Sequence, residues 1–407
     1  HDTSGIAAAS VLAAVEAGVD AFDAAMDSMS GLTSQPNLGS LVAALQHTDR
    51  DTGLDSDAIR LISDFWAQVR EQYAAFEPDM RAGASEVYVH EMPGGQYTNL
   101  REQARSLGIE ARWPEVAQAY RDVNDMFGDV IKVTPTSKVV GDMALAMVTG
   151  GLTAADVLDP ERHIAFPDSV ISFFRGDMGQ PPGGFPRPLQ KKVLGKEKPL
   201  TVRPGSVMAP FDLDAARSKL RERLGQEAAD TEFASYLMYP DIFVDFADHR
   251  RRFGDVSQLP THVYFYGMGP GTEIVTRTES GRQMIIRYLT ESDPDEDGMR
   301  RVFFEVNGAP LTILVKDESI AGPERKSEKA DPNNPGHVAA PMPGLVVSVE
   351  VSVGEHVQRG DTLLILEAMK MQTAIPAERD GTVKRILARP DHVVDARDLL
   401  LELEWIV

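Results

Sequence analysis

Three short stretches of this 407-residue chain hold side chains at a spacing that could do chemistry. The first is LEAMKMQT, residues 366–373, which sets Lys370 between Met369 and Met371 in an otherwise apolar and β-branched run. An exposed lysine offers a nucleophilic amine on a flexible stem, suited to acylation, and the methionines supply soft apolar surface beside it. A lone turn lysine is ordinarily just solvated, so the argument rests on the whole surrounding string. The second stretch is KVTPTSKVVGDMAL, residues 132–145. Its hydroxyls at Thr134, Thr136 and Ser137 stand next to Lys138, where donors and acceptors could surround a small polar group and pass it a proton. The same string also reads as an ordinary helix start, with Ser/Thr before a helical run and Pro135 suited to a first turn. The third is the opening HDTSG, a strand-to-helix turn of the kind that projects a histidine ligand, here His1, at the C-terminal mouth of a parallel barrel. A single terminal histidine is by itself more often an incidental residue.

The elements that must position these residues follow from periodicity. Residues 1–48 read as helix (IAAASVLAAVEAG), strand (VDAFDAAMD) and helix (LGSLVAALQ), the order of a βα repeat, with Thr3 and Ser4 as cap candidates. One such unit cannot close a sheet, and the chain opens without methionine, so a fragment of a longer protein is expected. From about 49 to 253 the pattern is mainly helical: SDAIRLISDFWAQVREQYAAF is amphipathic, and WPEVAQAYRDVNDMF carries Pro114 in its first turn. Between about 258 and 316 the period changes to two, predicting strands at THVYFYGM, TEIVTRTES, RQMIIRYLTES, RRVFFEVN and APLTILVKD, with SDPDEDG as an exposed turn. Residues 317–337 are polar, charged and punctuated by proline, the composition of a mobile tether. After them GLVVSVEVSVGEHVQRGDTLLILE (344–367) aligns with GTVKRILARPDHVVDARDLLLELE (381–404) at an offset of 37. Two similar β-rich halves predict a pseudo-twofold sandwich, since neither half can bury its apolar face alone, and Lys370 falls between them at an exposed hairpin tip.

Composition narrows the function. Lys+Arg 41 against Asp+Glu 62 gives a net charge of −21, which repels a phosphate backbone or an anionic membrane surface. With no cysteine, disulfides, thiol catalysis and cysteine-ligated zinc are excluded, in keeping with a reducing, cytoplasmic setting. No apolar run of 18 or more residues and no signal-like leader is visible. No nucleic-acid or membrane partner is expected.

The strings APMPG (340–344) and EAMKM (367–371) resemble the biotinyl carrier domain, whose motif lysine is joined to biotin by an amide bond. Lipoyl domains share the architecture but place their lysine in a DKA-like context. Taken with HDTSG, DSMSGLTSQPNLGSLVAAL, YVHEMPGGQYTNLREQARSLG, KVTPTSKVVGDMALAMV and ASYLMYP, the chain resembles the C-terminal portion of the pyruvate carboxylase family over nearly its whole length. That resemblance implies the end of a TIM-type (β/α)8 carboxyltransferase barrel at 1–48, its helical extension at 49–253 and a β-rich allosteric and tetramerisation domain at 254–325. A linker at 326–337 and an all-β barrel-sandwich biotinyl domain at 338–407 complete the order.

It further implies carboxyl transfer from carboxybiotin on Lys370 to pyruvate, giving oxaloacetate. Thr134 would relay the proton, and Ser137 and Lys138 would contact the biotin ureido group. His1 would be one ligand of a divalent metal, zinc or manganese, whose other ligands precede residue 1. MgATP would act at a biotin carboxylase domain outside this chain, acetyl-CoA would be the activator, biotin ligase would modify Lys370, and the whole protein would be a homotetramer. The related oxaloacetate decarboxylase α subunits and transcarboxylase subunits share the TPTS string and carrier lysine. They usually have Gln at the position of Lys138, a different string at PGGQYTNL, and a Pro/Ala-rich linker without a β-rich unit. From another class, a non-catalytic carrier and assembly protein would show the same carrier lysine.

Overall fold

The computed structural model describes residues 1–277, 281–317, 328–331, 334–368, 371–390 and 392–404. It divides into two compact units, one of residues 1–208 with 326–407 and one of residues 209–325.

The first unit contains a helical body and a β sandwich, each with its own core. In the body, helices Gly94–Ser106, Trp113–Met126, Thr136–Gly150, Asp168–Arg175 and Arg187–Leu194 close around Leu100, Tyr120, Phe127, Met143 and Phe174, all buried. Thr136–Gly150, the site helix, buries residues on almost every side from Ser137 to Val148, as a helix enclosed by neighbours must, and stops at Gly151 in the left-handed conformation. Rings of Phe127, Phe173, Phe174 and Phe185 meet largely edge to face beneath it. Pro114 sits in the first turn of Trp113–Met126, where its missing N–H costs nothing.

The opening segment departs from the βα reading. Helices Ala7–Glu16 and Leu38–Leu45 are present, but VDAFDAAMD is not a strand: Ala25 makes a single bridge to Asn37. An extended segment becomes a strand only when a neighbour offers a ladder, and among the described residues none runs beside it. The cap also differs. Neither Thr3 nor Ser4 caps the first helix; Asp2 Oδ1 accepts from Ala7 N at 2.9 Å.

Among the described residues the sandwich contains eight strands in two antiparallel sheets, both four-stranded. One orders His337–Ala339, Leu399–Glu404, Gly381–Ile386 and His356–Val357; the other orders Val393–Val394, Gly344–Val349, Thr362–Ala368 and Met371–Pro376. Strands begin at Gly344 and Gly381, His356 and Val393, Thr362 and Leu399, each pair 37 residues apart as the repeat predicts. The repeated aspartates do the same work twice: Gln358 N donates to Asp361 Oδ2 at 2.7 Å, and Asp395 N to Asp398 Oδ2 at 2.8 Å. Repeated Val346 and Val383, Leu364 and Leu401, Leu366 and Leu403 fill the space between the sheets. The expected linker lies partly outside the described residues, and its described end is held rather than free. Lys329 bridges to Asp398, with Nζ 2.6 Å from Oδ1, and Leu399 N donates to Glu328 O. Pairing with the sandwich edge satisfies backbone groups that a tether would leave to water.

The second unit carries a small helical cluster, Leu213–Leu224, Asp230–Met238 and Pro240–Phe253, around Leu220, Phe233 and Phe243. It also carries a four-stranded antiparallel meander, Glu273–Arg277, Gln283–Glu291, Met299–Val306 and Ala309–Lys316. SDPDEDG turns between its second and third strands, where Asp295 N donates to Met299 O. The expected strand THVYFYGM is instead helix Thr261–Tyr266, following Pro260 and ended by Gly267 at φ 72°. A short apolar run does not distinguish strand from helix by period, and here the flanking Pro and Gly decide.

Candidate functional site

Lys370 itself lies outside the described residues, as does Met369. The ladder around them is described. Thr362–Ala368 and Met371–Pro376 pair antiparallel up to Ala368↔Met371. Gln372 Nε2 donates to Glu367 Oε2 at 2.8 Å and braces its end. Three residues beyond the lysine, Thr373 is buried and forms an antiparallel bridge with Pro167 of the helical body. Met342, the methionine of APMPG, is buried against Leu107. The carrier is thus seated on the body through the strand that follows its lysine and through its upstream motif.

The seat adjoins the site helix. Pro167 precedes helix Asp168–Arg175, and Ser169 Oγ donates to Asp142 Oδ2 of the site helix at 2.6 Å. Lys138 Nζ donates to the same oxygen at 2.5 Å, one helical turn from its own position. At the helix start the hydroxyls left open by the sequence reading now separate. Thr136 Oγ1 donates to Val133 O at 2.6 Å, so it is committed to the turn. Thr134 is exposed in that turn and its hydroxyl makes no hydrogen bond among the described residues, while Ser137 is buried. Lys138 is half-exposed, and an ammonium with three donors has two left after the Asp142 bond.

Helix Gly94–Ser106 connects this region to the opening turn. A Cβ at Gly94 would stand 2.6 Å from His1 Nδ1, so the imidazole lies directly on a glycine backbone that no other residue could offer. Two residues on, the Gln96 side chain presses on Gly141 of the site helix, where a Cβ would meet Nε2 at 2.4 Å. The turn is clasped further by Ala84 N donating to Thr3 O, by Tyr88 Oη to Ser4 Oγ at 3.1 Å, and by Gly83 against Gly5. Two motifs some 90 residues apart, HDTSG and HEMPGG, therefore form one surface. His90 is buried beside Tyr97, its Nδ1 accepting from Met92 N at 3.0 Å; burial pushes its pKa down, which keeps that nitrogen an acceptor.

His1 supplies one exposed imidazole, and among the described residues no group of three or more His, Asp or Glu could hold a metal ion. Protein metal sites for zinc take three or four such ligands, so these residues do not make one alone. Two open clefts of about 380 and 850 Å³ belong to the second unit and include none of the candidate residues. Sequence reasoning missed Asp142, Ser169, Gln96 and Pro167. Asp142 was visible as the i+4 partner of Lys138; the others meet the site only through folding.

The geometry accords with what the chain is similar to. Residues 87–287 match the family described as a conserved carboxylase domain, and residues 336–403 match the family described as biotin-requiring enzyme. Pyruvate carboxylase of Bacillus subtilis is 44% identical over 404 residues, 99% of this chain and 35% of that protein. The carboxyl transferase domain of Rhizobium etli pyruvate carboxylase, solved with pyruvate and biocytin, superposes with a TM-score of 0.73 at 60% identity, covering 78% of this chain and 54% of that one. The complete multifunctional enzyme from Rhizobium etli gives 0.72 at 56% identity over 99% of this chain and 37% of that one. No helix among the described residues is long and apolar enough to cross a membrane. The chain spans about a third of the length of the curated relatives it matches, and on its two family matches and this similarity from end to end it belongs to the pyruvate carboxylase family.

Proposed function

We propose that this chain is the carboxyltransferase end and biotin carrier of an ATP- and bicarbonate-dependent pyruvate carboxylase, converting pyruvate to oxaloacetate. Biotin, joined to Lys370 by an amide, supplies an activated carboxyl group. The observation that carries the reading is the open hydroxyl of Thr134 and the free donors of Lys138 at the start of a helix tied, through Asp142 and Ser169, to the seat of the carrier. The described strands Thr362–Ala368 and Met371–Pro376 pair on either side of the sequence position of Lys370, which fits a tether. Lys138 and Ser137 donate hydrogen bonds to the ureido group and orient it. Thr134 moves one proton from the pyruvate methyl to the biotin side. A neutral hydroxyl suits this, since it accepts and donates in one arrangement without the cost of burying a charge.

In the longer protein residues 1–48 complete a TIM-type barrel, residues 49–253 extend it, and His1 is one ligand of a zinc or manganese ion. Residues 254–325 serve acetyl-CoA activation and assembly of a homotetramer, 326–337 link, and 338–407 form the biotinyl domain modified by biotin ligase in the cytoplasm. MgATP acts at a domain outside these 407 residues.

The test is Thr134→Ala in the full-length protein, with biotin on Lys370 verified by intact mass and bound metal quantified. Pyruvate carboxylation is expected to fall by about 100- to 10,000-fold, the contribution of a positioned proton-transfer group, with biotin and metal content unchanged. A biotinylated, metal-loaded variant of near-full activity would remove the proton-relay role.

A further inference from the structure

Asp142 sits in the middle of the site helix with its side chain 1% exposed, whereas Lys138, its partner one turn earlier, is 44% exposed. Its Oδ2 accepts from both Lys138 Nζ and Ser169 Oγ, and its Oδ1 is buried with no hydrogen-bond partner among the described residues. As a stabilising pair this is a poor arrangement. A carboxylate taken out of water is repaid only when its remaining lone pairs are satisfied, and one half-solvated ammonium with one hydroxyl leaves half of it unpaired. What the arrangement does provide is a fixed end and an open end. The buried carboxylate cannot move, and it confines a long side chain that would otherwise sample many rotamers.

We propose that Asp142 is a positioning residue for carboxyl transfer, holding the Lys138 ammonium so that its two free donors face the ureido group. This rests on the reading of Lys138 given above. Ser169 adds a second role for the same oxygen. It lies two residues beyond Pro167, which pairs with Thr373 of the carrier. The carrier's seat and the donor that meets its cofactor are thus anchored on one atom, Asp142 Oδ2, so a carrier bound at the seat finds Lys138 already aimed.

The experiment is a double-mutant cycle in the full-length protein, biotin verified by mass: Asp142→Asn, Lys138→Met and both together, assayed for pyruvate carboxylation. Each single variant is expected to lose about 10- to 100-fold in kcat, the worth of one charge-assisted hydrogen bond, with KM for pyruvate unchanged. The double variant is expected to lose no more than Lys138→Met, because Asp142 acts only through that lysine. Additive losses, or an Asp142→Asn variant with an unaltered kcat, would overturn the proposal. Full activity in Lys138→Met would overturn instead the underlying assignment of Lys138, and a result of that kind is distinguishable from the first two. Should Asp142→Asn fail to fold, Ser169→Ala gives the same cycle: a few-fold loss of kcat that disappears in the Lys138→Met background supports the proposal, and one that persists there refutes it.

Discussion

The carrier sandwich and the helical body solve the same problem, placing a few polar groups on a buried frame, in opposite ways. In the sandwich much of the frame occurs twice, 37 residues apart: three pairs of strand starts, core leucines, and the aspartates that tie Gln358 and Asp395. In the body the important features occur once. His1 on Gly94, Gln96 on Gly141 and Ser169 on Asp142 are single approaches between segments apart in sequence. Repetition distributes stability over many equivalent contacts, whereas a single approach concentrates geometry at one position. The carrier should therefore tolerate movement as a rigid block, and the body should fail locally.

That contrast can be broken most directly in the carrier core. Leu363 is fully buried between the two sheets, and Leu363→Ala is expected to cost about 2–5 kcal/mol. Because the carrier and body cores are separate clusters, the carrier should melt at lower temperature while helical circular dichroism is retained. Simultaneous loss of both signals would show that the two regions are one cooperative unit.

A smaller effect is expected where the body relies on one close approach. Gly141→Ala brings a Cβ to 2.4 Å from Gln96 Nε2 and 3.0 Å from Leu100 Cδ1, an overpacking of about 1–3 kcal/mol that moves Gln96 away from the site helix. Thermal denaturation should show the destabilisation. A crystal structure of the variant with Gln96 unmoved would contradict the single-approach account.

The smallest effect is a pH dependence confined to the body. Burial holds His90 below its ordinary value of 6.5, so the unfolded chain takes up a proton before the folded one does. Its contribution is thus fully present above about pH 6.5 and is lost as pH falls from there towards the folded-state value; stability rises with pH through that window. His90→Gln should flatten this part of the pH profile of the melting temperature for the helical signal and leave that of the carrier unaltered.

Much of this contrast was legible beforehand. The offset of 37 foretold the sandwich, since repeated spacing is a property of the chain itself, whereas Lys370, expected at an exposed tip, lies outside the described residues. Four of the five β segments after residue 258 form strands, as alternation over such lengths favours where no flanking Pro and Gly override it. The exceptions are instructive. VDAFDAAMD has strand character but no ladder beside it among the described residues, THVYFYGM is bounded by Pro260 and Gly267 into a helix, and the polar segment before the carrier ends by pairing with its edge. At the site, the types and spacing of Thr134, Ser137 and Lys138 were plain and the resemblance singled out Thr134, but by residue type alone the three hydroxyls were equivalent. Folding spent Thr136 on the turn, buried Ser137 and left Thr134 open.

By itself, the amino-acid order determined what depends on neighbours along the chain: the repeat, the helical period, the capping prolines and glycines, and a lysine between two methionines. Tertiary structure alone decided which distant groups meet, above all that Ser169 and Lys138 share one oxygen of Asp142 beside the carrier's seat. The reason is physical: local patterns select backbone conformations over a few residues, but a buried charge acquires its partners only when separate helices close around it and exclude water.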